Sequence, residues 1–285
     1  MKEFALVTVC NAKFGDFLAD HWYRSLKENV NLEKIDVIIF DYGLTDVQRQ
    51  RLNGAIIVPY VLDGHITSVR YRDLLTFLNQ NQYDQVAMCD GGDIIFQSDI
   101  SEIFVKGNPN FKGVQENPET LQYNLQFYFD KFKSDYRNLI AQGVKDKKII
   151  NGGLIVGNAE KVKVLCRRYL DMVIDLKSYG PDQIGMAYLA YEMGFEPIDM
   201  TYNFCMVSFY NIRFMIKNHE FYFADGRKVK VVHNGGGLSF FRPIKNFGYG
   251  QTYNRVGLIY YLGPVLSIIW WNIIKLRYVL LNLNK

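Results

Sequence analysis

The first 90 residues alternate short apolar runs with longer amphipathic segments, and this alternation constrains the fold more than any other feature of the chain. The apolar runs have strand length and are rich in β-branched residues, and they predict strands at 4–10, 35–40, 55–58 and 85–88. Between these runs, apolar residues recur at three- and four-residue steps, which predicts helices. The resulting order, β-α-β-α-β-α-β, is typical of an α/β domain with a mostly parallel sheet.

The helices of this part are predicted from apolar spacing and from one capping box. They cover residues 17–30, a segment that starts at Thr45 with Gln48 three residues later, and residues 71–78. The second half is less regular. A strand is expected at 149–158, where two glycines break an apolar run, and a helix at 159–176.

Composition and charge exclude several classes of function. The 285 residues carry 33 Lys and Arg against 29 Asp and Glu, a net charge of +4 without a dense basic cluster, which argues against a nucleic-acid partner. The four cysteines are scattered, with neither zinc-type nor disulfide-type spacing. Because the first apolar run is too short for the core of a signal peptide, we expect a cytoplasmic protein with reduced thiols.

The end of the chain has an unusual composition. No charged residue occurs between positions 256 and 274, a length close to the roughly 20 residues that cross a bilayer. A Gly-Pro pair interrupts this stretch, and Trp270 and Trp271 stand near Lys275 and Arg277, residue types that favour the lipid headgroup region. We predict a helix that begins at the proline and attaches to the inner face of the cell membrane. The alternatives are a helix packed on the protein and, less favoured, a true span.

Two carboxylates stand where the fourth predicted strand ends. The sequence there is Asp90-Gly91-Gly92-Asp93, and ligands of open α/β sheets bind beyond the carboxyl ends of the strands. Two carboxylates separated by glycines form an oxygen-rich site for Mg²⁺ or Mn²⁺ that a phosphate can approach closely. A glycine turn with flanking aspartates explains the same residues without a metal.

Three later motifs place polar groups beside apolar runs. They are His233 followed by Asn and three glycines, Asn151-Gly152-Gly153, and Pro181-Asp182-Gln183. Imidazole is a common metal ligand, and glycine in a strand permits the close approach of a ligand. An aspartate at the start of a helix has the ordinary alternative of an N-cap. None of these motifs identifies a function by itself.

Taken in order, the motifs resemble those of nucleotide-sugar glycosyltransferases of the GT-A fold, most closely glycosyltransferase family 8. The family's Tyr-Arg, Asp-x-Asp, Asn-Ala-Gly, Asp-Gln, Tyr-Asn and His-x-x-Gly motifs are similar to Tyr71-Arg72, Asp90 to Asp93, Asn151-Gly152-Gly153, Asp182-Gln183, Tyr202-Asn203 and His233 to Gly236. The resemblance spans roughly residues 4–250. It implies a GT-A domain at 1–250, with 251–285 as a C-terminal tail.

The resemblance also implies roles for the matched residues. Ligands of Mn²⁺ or Mg²⁺ would be Asp90, Asp93 and His233. The implied catalytic residues, on the sugar side, are Asp182, Gln183 and Asn151. Contacts with a UDP-sugar donor are implied for Val9 and Asn11 at the uridine end, for Arg72 and Asp90, and for the backbone at Gly152, Gly153 and Gly236.

The family likeness implies metal-dependent transfer of a hexose, of galactose or glucose type, from a UDP-sugar to a glycan or a lipid-linked saccharide. It further implies retention of configuration and a place in cell-surface polysaccharide synthesis. Deletion of the chain after Arg255 is then expected to leave activity on small acceptors largely intact.

Two positions depart from the family pattern. The acidic motif is Asp-x-x-Asp, and Ser239 stands where the family tends to carry a lysine, so Arg242 or Lys245 is the candidate cation for the diphosphate. A sugar nucleotidyltransferase is an alternative, although the first strand is not followed by a glycine-rich basic loop. A noncatalytic glycan-binding or scaffold protein with a degenerate transferase fold is another.

Overall fold

The computed structural model describes residues 2–209, 212–235, 242–250 and 254–283. The strands are β1 (Phe4–Cys10), β2 (Ile35–Asp41), β3 (Ile56–Pro59), β4 (Gln85–Asp90), β5 (Ile94–Phe96), β6 (Phe111–Thr120), β7 (Lys148–Asn158), β8 (Phe195–Pro197), β9 (Phe204–Cys205), β10 (Phe214–Lys217), β11 (Glu220–Phe223), β12 (Val231–His233), β13 (Ile244–Lys245) and β14 (Arg255–Val256). The helices are α1 (Ala12–Phe17), α2 (Arg24–Asn29), α3 (Asp46–Arg51), α4 (Ile66–Gln80), α5 (Leu121–Tyr128), α6 (Ser134–Gly143), α7 (Ala159–Met172), α8 (Pro181–Met193) and α9 (Leu258–Leu283).

The centre of the fold is a seven-stranded sheet in the order β3-β2-β1-β4-β7-β6-β8. The first four strands of the chain run parallel to one another, and β7 runs antiparallel to both β4 and β6. Helices cover both faces of this sheet. The mostly parallel α/β architecture predicted from the alternation of apolar runs is therefore confirmed.

The predicted strands lie within one or two residues of the observed ones. The runs of β1, β2 and β4 are buried in the sheet, whereas β3, at its edge, is partly exposed. Alternate residues of β1 enter different layers, since successive side chains of a strand point to opposite faces. Ala5 and Val7 join the core layer that includes α4, α7 and α8. Phe4 and Leu6 join the layer under the first helices. A smaller cluster packs around the sheet β5-β12-β9.

The helices differ from expectation at their ends. The first helical region begins at Ala12, where the Asn11 side chain accepts a hydrogen bond from the Lys13 amide, and it includes a π-helical segment at Leu18–Tyr23. The capping box of Thr45 and Gln48 is confirmed, with both reciprocal hydrogen bonds present. The strand that two glycines were expected to break is continuous, as β7.

The tail forms one helix, α9, which begins at Leu258 and not at the proline. One side of it packs on α5: the Trp270 and Phe127 rings stack, Tyr278 meets Tyr123 edge to face, and Ile274 is buried. Much of the rest of its apolar surface is exposed. In the described part of the chain, no helix is both long enough and apolar enough to cross a membrane.

Candidate functional site

A cavity of about 610 Å³ opens beside the carboxyl end of β4. Its walls are contributed by β4, β7, the start of α8, the turn after β12, and the pair α5 and α9. Of the residues predicted from the sequence, the walls contain Asp90, Asp93, Asn151, Gly152, Gly153, Asp182, Gln183 and His233. The fold thus brings together the metal-type and sugar-side residues that lie up to 143 positions apart in the chain.

Asp90, Asp93 and His233 form a cluster whose ligand atoms all lie within 4.8 Å of one another. Strand pairing produces this arrangement, because β12 lies antiparallel to β5 with His233 opposite Ile94. The His233 Nε2 atom is 3.5 Å from Asp93 Oδ1. At Gly91 a side chain would collide with Thr8 Oγ1, at 2.6 Å, so glycine is what lets the turn between the two aspartates pack against β1.

The His233 ring is held by a chain of buried amides. Its Nδ1 atom lies 3.1 Å from Asn203 Oδ1, and the Asn203 amide donates to Asn151 Oδ1 at 2.8 Å. The Asn151 amide in turn donates to Glu116 Oε1 at 2.6 Å. A side chain on Gly153 would overlap the imidazole, with 2.4 Å between its Cβ and His233 Cε1. The bond at Nδ1 directs Nε2 toward the carboxylates, as expected of a metal-binding histidine.

The electrostatics of the cluster suit a divalent cation. Burial raises the pKa of Asp93, although His233 and Arg242 oppose the shift. The pKa of His233 is also raised: burial disfavours the imidazolium, but Cys205, Asp93 and Asp90 outweigh that effect. The Asp90 and Asp93 carboxylates thus lie close together in a largely buried site, where a divalent cation would stabilise their charges. Two carboxylates and one imidazole fit Mn²⁺ better than Mg²⁺, because Mg²⁺ prefers an all-oxygen ligand set.

Arg70, on α4, joins the metal-type cluster to the sugar side. Its Nη1 atom donates to Asp90 Oδ1 at 2.8 Å, and its Nη2 atom donates to Asp182 Oδ2 at 3.4 Å. Burial raises the pKa of Asp182 while the Arg70 charge opposes that shift. The ordinary reading of Asp182 as an N-cap is wrong, since the N-cap of α8 is Gly180, with a φ of 104° that favours glycine.

The structure does not bring Arg72 into the cavity, and this prediction is corrected. Arg72 pairs with Asp63 at 2.7 Å and with Asp73 at 2.8 Å, on another side of α4. Residues two positions apart in a helix are rotated by about 200°, so Arg70 and Arg72 point in nearly opposite directions. Among the described residues, Arg70 is the arginine that lines the cavity.

Two further predicted donor contacts, Val9 and Asn11, are not among the residues that line the cavity. Val9 lies next to Asp90 in the sheet, and the Asn11 side chain caps α1. Gly236 and Ser239 lie outside the described residues. Arg242, a candidate cation for the diphosphate, lies 3.3 Å from Asp93 Oδ2.

Three residues that line the cavity are not predicted as site residues from the sequence: Arg70, Glu116 and Trp270. Arg70 stands four residues after Ile66 and four before Leu74, on the apolar stripe of α4, and that position was a usable signal of burial. Glu116 is 6% exposed on β6 and belongs to no recognisable motif. Trp270 enters the cavity from α9, which connects the C-terminal tail to the site.

No family model matches the chain, and a search of curated proteins gives no significant match. Among solved structures, the chain is similar to the bifunctional glycosyltransferase WbbM in its apo form, with a TM-score of 0.54 and 14% identity. That match covers 84% of this chain and 47% of WbbM, so the chain spans about half of the WbbM length.

The chain is also similar to the galactosyltransferase LgtC in complex with donor and acceptor sugar analogues. The TM-score is 0.54 at 14% identity, and the match covers 83% of this chain and 89% of LgtC. An active-site mutant of LgtC matches with a TM-score of 0.53 at the same identity. At this level of identity the likeness concerns the fold, and the expected GT-A fold, with its mostly parallel central sheet flanked by helices, is confirmed.

Proposed function

We propose that this protein is a metal-dependent glycosyltransferase, of the family 8 type, that transfers a galactose- or glucose-type hexose from a UDP-sugar to a saccharide acceptor. One observation carries the proposal: an Asp-Asp-His ligand set and an Arg70–Asp182 pair share one cavity at the carboxyl end of β4. This combination suits a ligand with both a diphosphate and a sugar. The likeness to LgtC, a galactosyltransferase, supports the same class of reaction.

The two ends of the cavity have different chemical roles in this proposal. A Mn²⁺ ion held by Asp90, Asp93 and His233 would supply the positive charge that stabilises a departing diphosphate. Arg70 fixes Asp90 and Asp182 relative to each other, so both ends of a donor meet a preorganised surface. Asp182, Gln183 and Asn151 line the cavity and are assigned to the sugar side. In this proposal Asp182 is the anionic group of a configuration-retaining transfer.

The proposal is tested by UDP release from a panel of UDP-sugars, with Mn²⁺ or with a chelator. We expect slow release from one UDP-sugar, in the presence of Mn²⁺ only, and faster release once a saccharide acceptor is added. Release from sugar-1-phosphate and UTP as pyrophosphate would instead identify a nucleotidyltransferase. A protein that binds none of these compounds would contradict the proposal.

Glu116 gives a prediction for the sugar side. It is an almost fully buried carboxylate whose pKa is raised by burial, and in the described residues no Lys or Arg forms an ion pair with it. Asn151, Ser208 and Gln183 hydrogen-bond this carboxylate, and a sugar hydroxyl in the cavity can donate to it as well, because two carboxylate oxygens accept about four hydrogen bonds. Glu116→Gln is expected to raise KM for the UDP-sugar by about tenfold, because a hydrogen bond to a charged group is worth about 1.5–3 kcal/mol. UDP affinity, measured by calorimetry, should stay unchanged. A parallel loss of UDP affinity would contradict the assignment of Glu116 to the sugar side.

We propose, further, that the protein acts at the inner face of the cytoplasmic membrane on a lipid-linked saccharide, as part of cell-surface polysaccharide synthesis. The support is the exposed side of α9, which carries a row of apolar side chains away from α5: Val265, Ile268, Leu276 and Val279. These positions are three, eight and three residues apart, so they lie on one face of the helix, where Asn272 stands between Ile268 and Leu276. Lys275 and Arg277 lie over the rings of Tyr123 and Phe127, at the side that faces α5.

Vesicle sedimentation tests this attachment. The double variant Ile268→Asp, Leu276→Asp should lose binding to phosphatidylglycerol vesicles by more than about tenfold, because burial of each side chain is worth about 1.5–3 kcal/mol. Val47→Asp, at an equally exposed position on α3, is the matched control and should bind like the wild type. A wild-type protein that stays in the supernatant would contradict the attachment.

A further inference from the structure

We propose that the stacked rings of Phe127 and Trp270, here called the aromatic platform, bind a pyranose ring of the acceptor saccharide. The inference rests on the proposed function and extends it, because it assigns the tail a role in the site as well as at the membrane. It also replaces the expectation that the chain after Arg255 is dispensable for small acceptors.

The platform belongs to the same cavity as the catalytic candidates. Phe127 comes from α5 and Trp270 from α9, and both line the cavity together with Asp182 and Gln183. The two ring planes are nearly parallel, at 8°, with centroids 6.2 Å apart. Trp270 is 54% exposed, so a large aromatic surface is open to a ligand.

The platform is held by several contacts and is not the end of a detached tail. The Arg277 guanidinium lies 5.0 Å from the centroid of the Phe127 ring. The Gln126 amide donates to the Ile274 carbonyl at 3.2 Å, and the Ile274 side chain is 1% exposed. Trp270 stands one helical turn before Ile274 and is positioned by the same packing.

The chemistry of the platform fits a sugar ring better than a diphosphate. A pyranose has an apolar face of C–H groups that stacks on aromatic rings, and its hydroxyls are left free at the ring edge. The exposed group of the platform is the Trp270 indole, and the nearby Arg277 guanidinium packs on the Phe127 ring. The groups that suit a diphosphate are the metal-type ligands Asp90, Asp93 and His233. α5 also adjoins the sugar side, because the neighbouring Tyr128 ring packs against Gly180 at the start of α8.

The acceptor, and not the uridine, is the occupant that the surroundings favour. The platform is formed by α5 and α9, and α9 also carries the apolar stripe on its other side. A lipid-linked saccharide whose lipid rests in the membrane beside that stripe would enter the cavity over Trp270. Attachment and acceptor binding would then be performed by opposite sides of one helix.

The experiment compares Trp270→Ala with Trp271→Ala in the full-length protein. Trp271 is the matched control, because it is the adjacent tryptophan of α9 and is not among the cavity-lining residues. Binding of methyl β-galactoside, methyl β-glucoside and methyl β-lactoside is measured by saturation-transfer NMR with UDP and Mn²⁺ present. UDP affinity is measured separately by calorimetry, and folding by circular dichroism.

We expect at least one of these glycosides to bind the wild type, with saturation strongest at its ring C–H protons. Trp270→Ala should weaken that binding by about tenfold, Trp270→Phe should weaken it less, and Trp271→Ala should leave it unchanged. Equal effects of the two alanine variants, or no glycoside binding to the wild type, would overturn the platform. A loss of UDP affinity in Trp270→Ala would overturn it in favour of uridine stacking. Failure of UDP to bind the wild type would contradict the proposed function. The difference in glycoside binding between Trp270→Ala and Trp271→Ala would still test the platform separately.

Discussion

Asp93→Asn is expected to abolish sugar transfer while leaving the protein folded. Asparagine has the shape of aspartate but not its charge, and it is a poor ligand for a divalent ion. Because a metal supplies several kcal/mol of transition-state stabilisation, kcat/KM should fall at least about 1000-fold. Asp93 is a partly buried carboxylate whose pKa is raised by burial, so loss of its charge should not lower the free energy of unfolding.

The measurement for this variant is the binding of Mn²⁺, followed by electron paramagnetic resonance, together with UDP release. Asp63→Asn is the control, because Asp63 is an exposed aspartate that pairs with Arg72 away from the cavity. We expect it to match the wild type in both assays. Normal turnover or normal Mn²⁺ binding in Asp93→Asn would contradict the assignment of Asp93 as a metal ligand.

Arg70→Ala is expected to lower the free energy of unfolding by about 3–5 kcal/mol, because it leaves Asp182 buried without its cation. It should also remove most of the activity, since neither Asp90 nor Asp182 is then held in place. Arg70→Lys keeps the charge but cannot form the two-sided contact of a guanidinium, so it should recover stability better than activity.

Arg72→Ala is the comparison that separates stability from function. It removes a partner of the buried Asp73, so some stability is lost, but UDP affinity should be unchanged because Arg72 lies outside the cavity. In Arg70→Ala, replacement of Asp182 by asparagine should restore part of the lost stability, as measured by urea denaturation. If Arg72→Ala abolishes UDP binding and Arg70→Ala does not, the assignment of the two arginines is reversed.

The parts of the fold that could be predicted from the sequence are those set by local pattern. The runs at 4–10 and 85–90 are buried on both faces of the sheet, so their apolar residues define both the strands and their ends. Because the end of β4 is predicted, the location of Asp90 and Asp93 at that end is predicted as well. The antiparallel direction of β7 could not be predicted, because its apolar run is equally suited to either direction.

The parts of the site that could not be predicted depend on rotation and on distant packing. The apolar spacing of α4 signals that Arg70 is buried, but its contact with Asp90 and Asp182 depends on the rotation of α4, which is fixed where the Tyr71 ring packs 4.3 Å from that of Tyr169. Glu116 enters the site only through the pairing of β6 with β7. Trp270 reaches the cavity because α9 packs on α5, a contact that no local pattern encodes.

The central claim is that Asp90, Asp93 and His233 hold a divalent ion that binds a nucleoside diphosphate beside Arg70. The most direct measurement is calorimetric titration of UDP into the full-length protein, first with Mn²⁺ and then with a chelator. We expect saturable UDP binding with Mn²⁺ and a loss of that binding with the chelator. UDP binding of equal strength under both conditions, or no binding under either, would contradict it.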